Sequence, residues 1–109
     1  MTQQLQLPWE SKRTDESRTV EGILRQTFRK TDAYRYNSAS IRVRVIDDRF
    51  RGKSIEARDA MVEPLIDKLP RHLQADIVNL LTLYENEPAE SSRASMANQE
   101  FEHPSASML

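Results

Sequence analysis

The chain lacks cysteine altogether and contains only two glycines among its 109 residues. Without cysteine it cannot form a disulfide, a thiolate nucleophile or a thiolate metal site within itself. No apolar run approaches the roughly 20 residues that cross a bilayer. The N-terminus has neither the basic start nor the apolar stretch of a secretory signal. These absences predict a cytoplasmic protein without a membrane partner.

Two regions of opposite charge stand out in what the sequence does contain. Residues 29–58 hold nine basic residues against four acidic ones, whereas residues 59–109 hold three against nine. The central excess is either an ordinary solvated surface or a face for an anionic partner, which acids from the tail could cover. The residues that would form such a binding face are Arg42, Arg44, Arg49, Arg51, Lys53 and Arg58.

The two ends of the chain show little sign of a packed core. Residues 1–17 are mostly polar and are predicted to be a flexible N-terminal segment, in which Trp9 either docks on the domain or stays mobile. Residues 87–109 combine serines, prolines and scattered acids without apolar periodicity, which predicts a disordered C-terminal tail. One small domain over residues 18–86 remains.

Within that domain, periodicity predicts a helix from Val20 to Phe28, capped by Ser17 or Thr19. A hairpin of two strands follows, with the second strand at residues 41–46 alternating between apolar side chains and arginines.

A second helix is predicted after Ser54, which is placed to cap it, and Pro64 should kink that helix or end it early. The last apolar segment, residues 73–85, fits either a helix or a strand, and periodicity alone slightly favours the helix.

The order of strand, Gly52-Lys53-Ser54 and helix is also the order in which a phosphate-binding loop is built. Such a loop needs a glycine five positions before Gly52, so that the backbone can curl around phosphate. Asp47 stands there instead, followed by Asp48, and both would repel phosphate oxygens. The sequence therefore excludes a nucleotide site of this kind.

The run from Ile41 to Val62 resembles the central signature of the BolA family, in which an apolar strand leads to Phe-x-Gly-Lys/Leu-Ser and then to a helix with arginine and a Met/Leu-Val pair. The residues in step with it are Phe50, Gly52, Ser54, Arg58 and Met61-Val62. The resemblance implies an α+β domain of order α-β-β-α-β, similar to a type II KH fold. It has a three-stranded mixed sheet with two helices on one face, and residues 75–84 are its third strand. In this arrangement Phe50 folds back onto the core, Gly52 allows the sharp turn and Ser54 caps the helix.

The resemblance also bears on metal binding, because BolA-type proteins commonly carry a histidine just before the final strand. That histidine helps to hold an iron–sulfur cluster shared with a monothiol glutaredoxin. Here the position is Gln74, whose amide is a poor ligand for iron. His72 lies two residues upstream, His103 lies in the tail, and the short hairpin loop has no ligand. We therefore expect neither a metal nor another cofactor.

These features favour a non-enzymatic BolA-like adaptor or regulator that acts through protein–protein interaction, with a monothiol glutaredoxin or another protein as its partner. The chain itself would be a monomer or a weak dimer. The alternative is a KH-like nucleic-acid-binding regulator that uses the basic region 42–58. The chain lacks the Gly-x-x-Gly loop of KH domains, which weakens this hypothesis. Its candidates for stacking on bases are Tyr34 and Tyr36. An enzyme is not expected, since Ser54 has no base near it in sequence.

Overall fold

The computed structural model of the protein describes residues 8–104. The helices are α1 (Asp15–Leu24), α2 (Ile55–Ile66), α3 (Arg71–Asp76) and α4 (Ser92–Ala97), and the strands are β1 (Lys30–Asn37), β2 (Ser40–Ile46) and β3 (Ile77–Leu83). Short 3₁₀ turns occupy Glu10–Lys12 and Asp48–Phe50, and a π-turn occupies Asn98–Glu102. The predicted α+β class is confirmed.

The three strands form one mixed sheet in the order β1-β2-β3. β1 and β2 pair antiparallel through the short turn at residues 38–39, whereas β2 and β3 run parallel, with Val43 beside Leu80 and Ile46 beside Leu83. A strand therefore occupies most of the segment that fitted both periodicities. The first residues of that segment are helical, because they belong to α3, which ends directly before β3 begins.

The first face of the sheet packs against α1 and α2. Ile41, Val43 and Val45 of β2 are completely buried there, together with Val20 of α1 and Val62 of α2. Both helices cover one face, as the predicted arrangement requires. Removal of this apolar surface from water is the main term that stabilises the domain.

The ends of the helices differ in detail from the sequence-based prediction. Thr14 caps α1 in place of Ser17 or Thr19: its hydroxyl accepts from the Ser17 backbone N–H, and the Ser17 hydroxyl accepts from the Thr14 N–H. This reciprocal capping satisfies two donors that a helix start would otherwise leave unpaired. Ser54 caps α2 through the Ala57 N–H at 3.1 Å. The same helix contains Pro64 and ends at Ile66, two residues later.

The second face of the sheet is also covered, whereas the sequence predicted flexible ends and left docking of Trp9 as one of two alternatives. Tyr34, Leu81 and Leu83 pack there against Trp9 from the N-terminal side and against Ala97 and Phe101 from the C-terminal side. Two expectations therefore change for the described parts of the ends. Within residues 8–17 Trp9 is buried, and within residues 87–104 α4 and the π-turn lie on the sheet. Residues 1–7 and 105–109 lie outside the described part of the chain.

The link between β2 and α2 depends on Gly52, whose φ of +78° lies in the left-handed region. There an L-residue places its Cβ close to its own carbonyl, which glycine avoids. The turn lets Phe50 reverse direction and become fully buried, with its ring stacked on Phe28 at 5.5 Å between centroids. Gly52 therefore connects the strand to the helix while Phe50 closes the end of the core.

The two glycines of the chain provide a matched test. We expect Gly52→Ala to lower the free energy of unfolding by about 1 kcal/mol, the cost of a left-handed alanine. Gly22→Ala, inside α1, should raise it by roughly 0.5–1 kcal/mol. Apart from the adjacent residues and, for Gly22, the backbone of its own helix, no atom lies within 4 Å of a Cβ placed at either position, so backbone conformation decides the sign. Urea denaturation of the two variants measures both effects, and changes of the same sign would contradict this account.

Candidate functional site: a charged turn and an arginine-bearing sheet face

The six basic residues predicted to form one binding face do not lie on one surface. Arg42 and Arg44 stand on the second face of the sheet, beneath the C-terminal segment. Arg49, Arg51 and Lys53 belong to the exposed turn at residues 47–53, which we call the charged turn. Arg58 lies inside α2 and is only 7% exposed. The structure therefore separates these residues into three environments.

In the charged turn, each arginine is held by a neighbouring aspartate. Arg49 bonds Asp47 through Nε at 2.9 Å and places its guanidinium 4.6 Å from the Phe28 ring centroid. Arg51 bonds Asp48 at 2.8 Å and lies 4.4 Å from the Tyr84 ring centroid. The hydrogen bond from the Arg49 side chain holds the pKa of the Asp47 carboxyl below its usual range, because its effect outweighs that of burial, which acts in the opposite direction. Alternating charges replace the continuous positive patch that the sequence suggested.

Lys53 is the exception within the charged turn. Its side chain is exposed and makes no ion pair with any residue between 8 and 104. Its ammonium group is therefore available to an external partner, without an internal carboxylate to displace.

Arg58 acts inside the fold. Its guanidinium donates to the Lys53 and Thr82 carbonyls at 3.0 and 3.1 Å and to the Glu87 carboxylate at 2.9 Å. The Glu87 side chain is only 5% exposed and also accepts from the Tyr84 N–H. Arg58 therefore joins α2 to β3 and to the loop that follows it. It is not available to an external anion, and the 29-residue separation from Glu87 hid this pairing in the sequence.

On the second sheet face, Arg42 and Arg44 are paired with acids. The Arg44 guanidinium bonds Asp32 at 2.7 Å and Glu102 at 2.8 Å. Arg42 lies 3.5 Å from the Glu100 carboxylate and 3.8 Å from the Tyr36 ring centroid. Acids of the C-terminal region therefore cover the strand arginines, and the charged turn is left open.

Tyr34 connects this face to the covering segment. Its hydroxyl donates to the Glu100 backbone carbonyl and accepts from Arg42 at 2.8 Å. Burial raises the pKa of the phenol above its usual value, although the Arg42 hydrogen bond acts in the opposite direction. The phenol therefore belongs in its neutral form in the folded protein.

Gln74, which the resemblance aligns with a cluster-ligand histidine, and the nearby His72 do not fit an iron–sulfur cluster. The Gln74 amide donates to the Leu69 carbonyl at 2.7 Å and to the Asp67 carbonyl at 3.3 Å, so it closes the end of α2. His72 is 69% exposed and lies 3.9 Å from Glu16. Within residues 8–104 no group of three His, Cys, Asp or Glu side chains is arranged to hold a metal ion.

An open cleft of about 590 Å³ lies beside the charged turn. It is lined by Thr27, Arg29, Lys30, Ile46, Asp47, Asp48, Arg49 and Glu85. Two of its three cations are paired with carboxylates, since Asp47 holds Arg49 and Glu85 holds Lys30, whereas Arg29 has no ion pair among residues 8–104. The cleft is therefore lined by groups of both charges. The Ser54 hydroxyl, which lies outside this lining, accepts the Ala57 N–H as the cap of α2.

Comparison with models of known protein families, with curated proteins and with solved structures finds no match to this chain. Among residues 8–104, no helix is both long enough and apolar enough to span a bilayer.

The buried pair offers a stability test against an exposed pair in the same region. We expect Glu87→Gln to lower the free energy of unfolding by about 3 kcal/mol, because Arg58 would keep a buried charge without its counter-ion. Asp48→Asn, which weakens the exposed pair with Arg51, should cost less than about 1 kcal/mol. Chemical denaturation at pH 7 distinguishes them. Equal losses would mean that Glu87 is solvated in solution.

The raised pKa of Tyr34 predicts a loss of stability in alkali. The stabilisation is fully present below the ordinary phenol pKa of about 10, and it is lost as the pH rises through the higher folded-state value. Tyr34→Phe removes this titration along with the hydrogen bond to Glu100. The variant should be less stable than the wild type at pH 8 by about 1 kcal/mol, and the difference should shrink above pH 10. A constant difference up to pH 12 would contradict the assignment.

Proposed function

We propose that the protein is a non-enzymatic, cytoplasmic BolA-like adaptor that binds a partner protein through the charged turn, with a monothiol glutaredoxin as the first partner class to test. The observation that carries the proposal is the charge pattern of the turn. Arg49 and Arg51 are each paired with an aspartate, and Lys53 is left without an ion pair in the described chain. A surface of alternating charges suits a protein surface of complementary pattern better than a uniform polyanion.

The order of the elements supports the family part of the proposal. The chain runs helix, two strands, helix, short helix and strand, and the quoted signature covers the turn from β2 into α2. Phe50, Gly52 and Ser54 have structural roles in that turn, as core side chain, left-handed turn residue and helix cap. Lys53 has no such structural role, and its exposed side chain is left to contact a partner.

The surface composition indicates how such a partner would bind. Val78 is the one large hydrophobic side chain that is strongly exposed among residues 8–104, at 59%. Without an apolar patch, the contact would depend on charged and hydrogen-bonding groups. Interfaces of that kind are usually small, transient and sensitive to salt.

Nucleic-acid binding remains the second candidate, since Tyr36 and Arg42 lie together on the sheet with a cation–π distance of 3.8 Å. Against it, Glu100 and Glu102 neutralise the strand arginines, and Asp47 and Asp48 lie within the turn. A phosphate backbone would have to displace or approach all of these carboxylates. The adaptor is therefore the better-supported function.

Titration of the full chain with a purified, cluster-free monothiol glutaredoxin tests the adaptor directly. Wild type should bind with micromolar affinity, and Lys53→Glu should weaken binding about fivefold or more, as the loss of one interfacial charge with reversal of its sign implies. Lys68→Glu is the matched control, because Lys68 is also exposed and lies just beyond the end of α2. If no binding is seen, or if both changes act equally, the glutaredoxin version of the proposal is wrong.

The same protein should bind single-stranded and duplex oligonucleotides only weakly at physiological salt. If it instead bound below 1 μM there, with a log–log salt slope of roughly −0.9 for each duplex phosphate contact, the function would be nucleic-acid binding. In that case Arg51→Glu with Lys53→Glu should abolish the interaction. The salt series therefore distinguishes the two candidates.

The cluster chemistry has its own test. When the chain is mixed with a cluster-loaded glutaredoxin, we expect no new visible absorption or circular dichroism band, because the Gln74 amide is committed to backbone carbonyls. A new band that disappears in His72→Ala would show that the turn before β3 rearranges and that His72 serves as a ligand.

A further inference from the structure

The C-terminal segment, residues 91–103, packs on the second sheet face through Ala97 of α4 and, after it, through three consecutive side chains, Glu100, Phe101 and Glu102. The Phe101 ring is fully buried and meets Trp9 and Tyr34 edge-on, at centroid distances of 5.6 and 5.2 Å. The Arg44 guanidinium lies 4.6 Å from the Phe101 ring centroid. Together, Trp9, Tyr34 and Arg44 form a cup around one phenyl ring.

The carboxylates on either side of Phe101 bind the two strand arginines. Glu100 lies 3.5 Å from Arg42 and accepts from Asn79 at 3.3 Å, while Glu102 bonds Arg44 at 2.8 Å. The Tyr34 hydroxyl also holds the Glu100 backbone carbonyl. The sheet face therefore binds an aromatic ring, two flanking carboxylates and one backbone carbonyl. Binding sites recognise short peptides through the same combination of groups.

The fit of the segment to the cup is incomplete. The Trp9 side chain is only 2% exposed, yet its indole N–H finds no acceptor among the residues that the structure describes. A buried donor without an acceptor opposes binding, since indole N–H groups in contacts of this kind are usually hydrogen-bonded. An occupant that offered a carbonyl or carboxylate to Trp9 would satisfy this donor.

We propose that this sheet face is a receptor for an acidic peptide of a partner protein, in which a phenylalanine stands between two carboxylate side chains, and that residues 91–103 are an internal competitor for it. The surface is distinct from the charged turn, and the proposal does not depend on a glutaredoxin partner. Binding of the external peptide would release α4 and the π-turn from the sheet.

The geometry favours a peptide over a nucleic acid. Without the segment, Arg44 would keep its 2.7 Å pair with Asp32, so that only Arg42 would lose its counter-ion entirely. One open charge suits a carboxylate peptide and gives little attraction for a polyphosphate. Trp9 and Tyr34 also present walls around a single ring, with interplanar angles to Phe101 of 67° and 78°. Flat stacking on several bases would require their faces to be open.

Tethering sets the strength of the competition. A segment on a short linker has an effective concentration near the millimolar range, so an external peptide meets a site that is mostly occupied. Its apparent affinity falls by the fraction of molecules in which the site is free. Weakening the internal segment should therefore strengthen binding of the same peptide added in trans.

The probe is a synthetic peptide with the sequence of residues 97–104, added to the full-length chain. Trp9 reports occupancy, because it is the single tryptophan and lines the cup. Phe101→Ala should shift the tryptophan emission to longer wavelength, and the peptide should restore it. The variant should bind the peptide at least about tenfold more tightly than wild type. Adding Arg42→Gln should weaken that binding roughly fivefold.

Two control peptides and a second variant complete the test. Peptides that carry alanine in place of phenylalanine, or glutamine in place of both glutamates, should not restore the emission. The full-length variant with Glu100→Gln and Glu102→Gln keeps Phe101 and should also bind the wild-type peptide more tightly than the wild-type chain does, which decides the matter if Phe101→Ala does not fold.

Three outcomes would overturn the proposal. Equal affinity of wild type and the folded variants would show that the segment does not compete. Unfolding of both variants, seen as loss of the far-ultraviolet circular dichroism, would show that residues 91–103 are an obligatory part of the core. Tighter binding of a single-stranded oligonucleotide than of the peptide would assign the face to nucleic acid.

Discussion

The alternation of apolar and arginine side chains along β2 is the constraint on which the rest of the structure depends. Because successive side chains of a strand point to opposite faces, Ile41, Val43 and Val45 bury against the helices while Arg42 and Arg44 stand on the other face. That other face cannot be closed by apolar residues alone. It requires carboxylates, which Asp32 and the C-terminal segment provide.

The same constraint explains why a net excess of basic residues does not become a basic surface. A buried guanidinium must be hydrogen-bonded and paired with a counter-charge. Arg58 meets this requirement with Glu87, and Arg44 meets it with Asp32 and Glu102. Glu87 and Glu102 belong to the acids that the sequence places after residue 59, whereas Asp32 lies within the basic region itself. Basic residues of the central region and acids of the C-terminal region, which are separate in the sequence, therefore neutralise one another in the fold.

Local signals predicted the parts of the fold that depend on local physics. The hairpin and the cap at Ser54 follow from residue type and short spacing, while the turn at Gly52 was expected from the family resemblance. The cover over the second face could not be found in that way, because Phe101 and Trp9 are isolated aromatics in polar sequence and meet only in the fold. The role of Glu87 could not be predicted either, because its partner Arg58 lies in α2 and the two residues meet only after β3 has packed in the fold.

The two candidate surfaces differ in whether their basic side chains already have an internal ion pair, and this determines how readily a partner can bind to them. At Lys53 a partner's carboxylate would displace no internal group within the described chain, so contact there requires no rearrangement. At Arg42 a partner must first replace Glu100, and the tether returns that competitor after each dissociation. The charged turn is therefore suited to constitutive, weak contact. The sheet face is suited to a partner whose peptide matches the internal one and fits the Trp9 donor better.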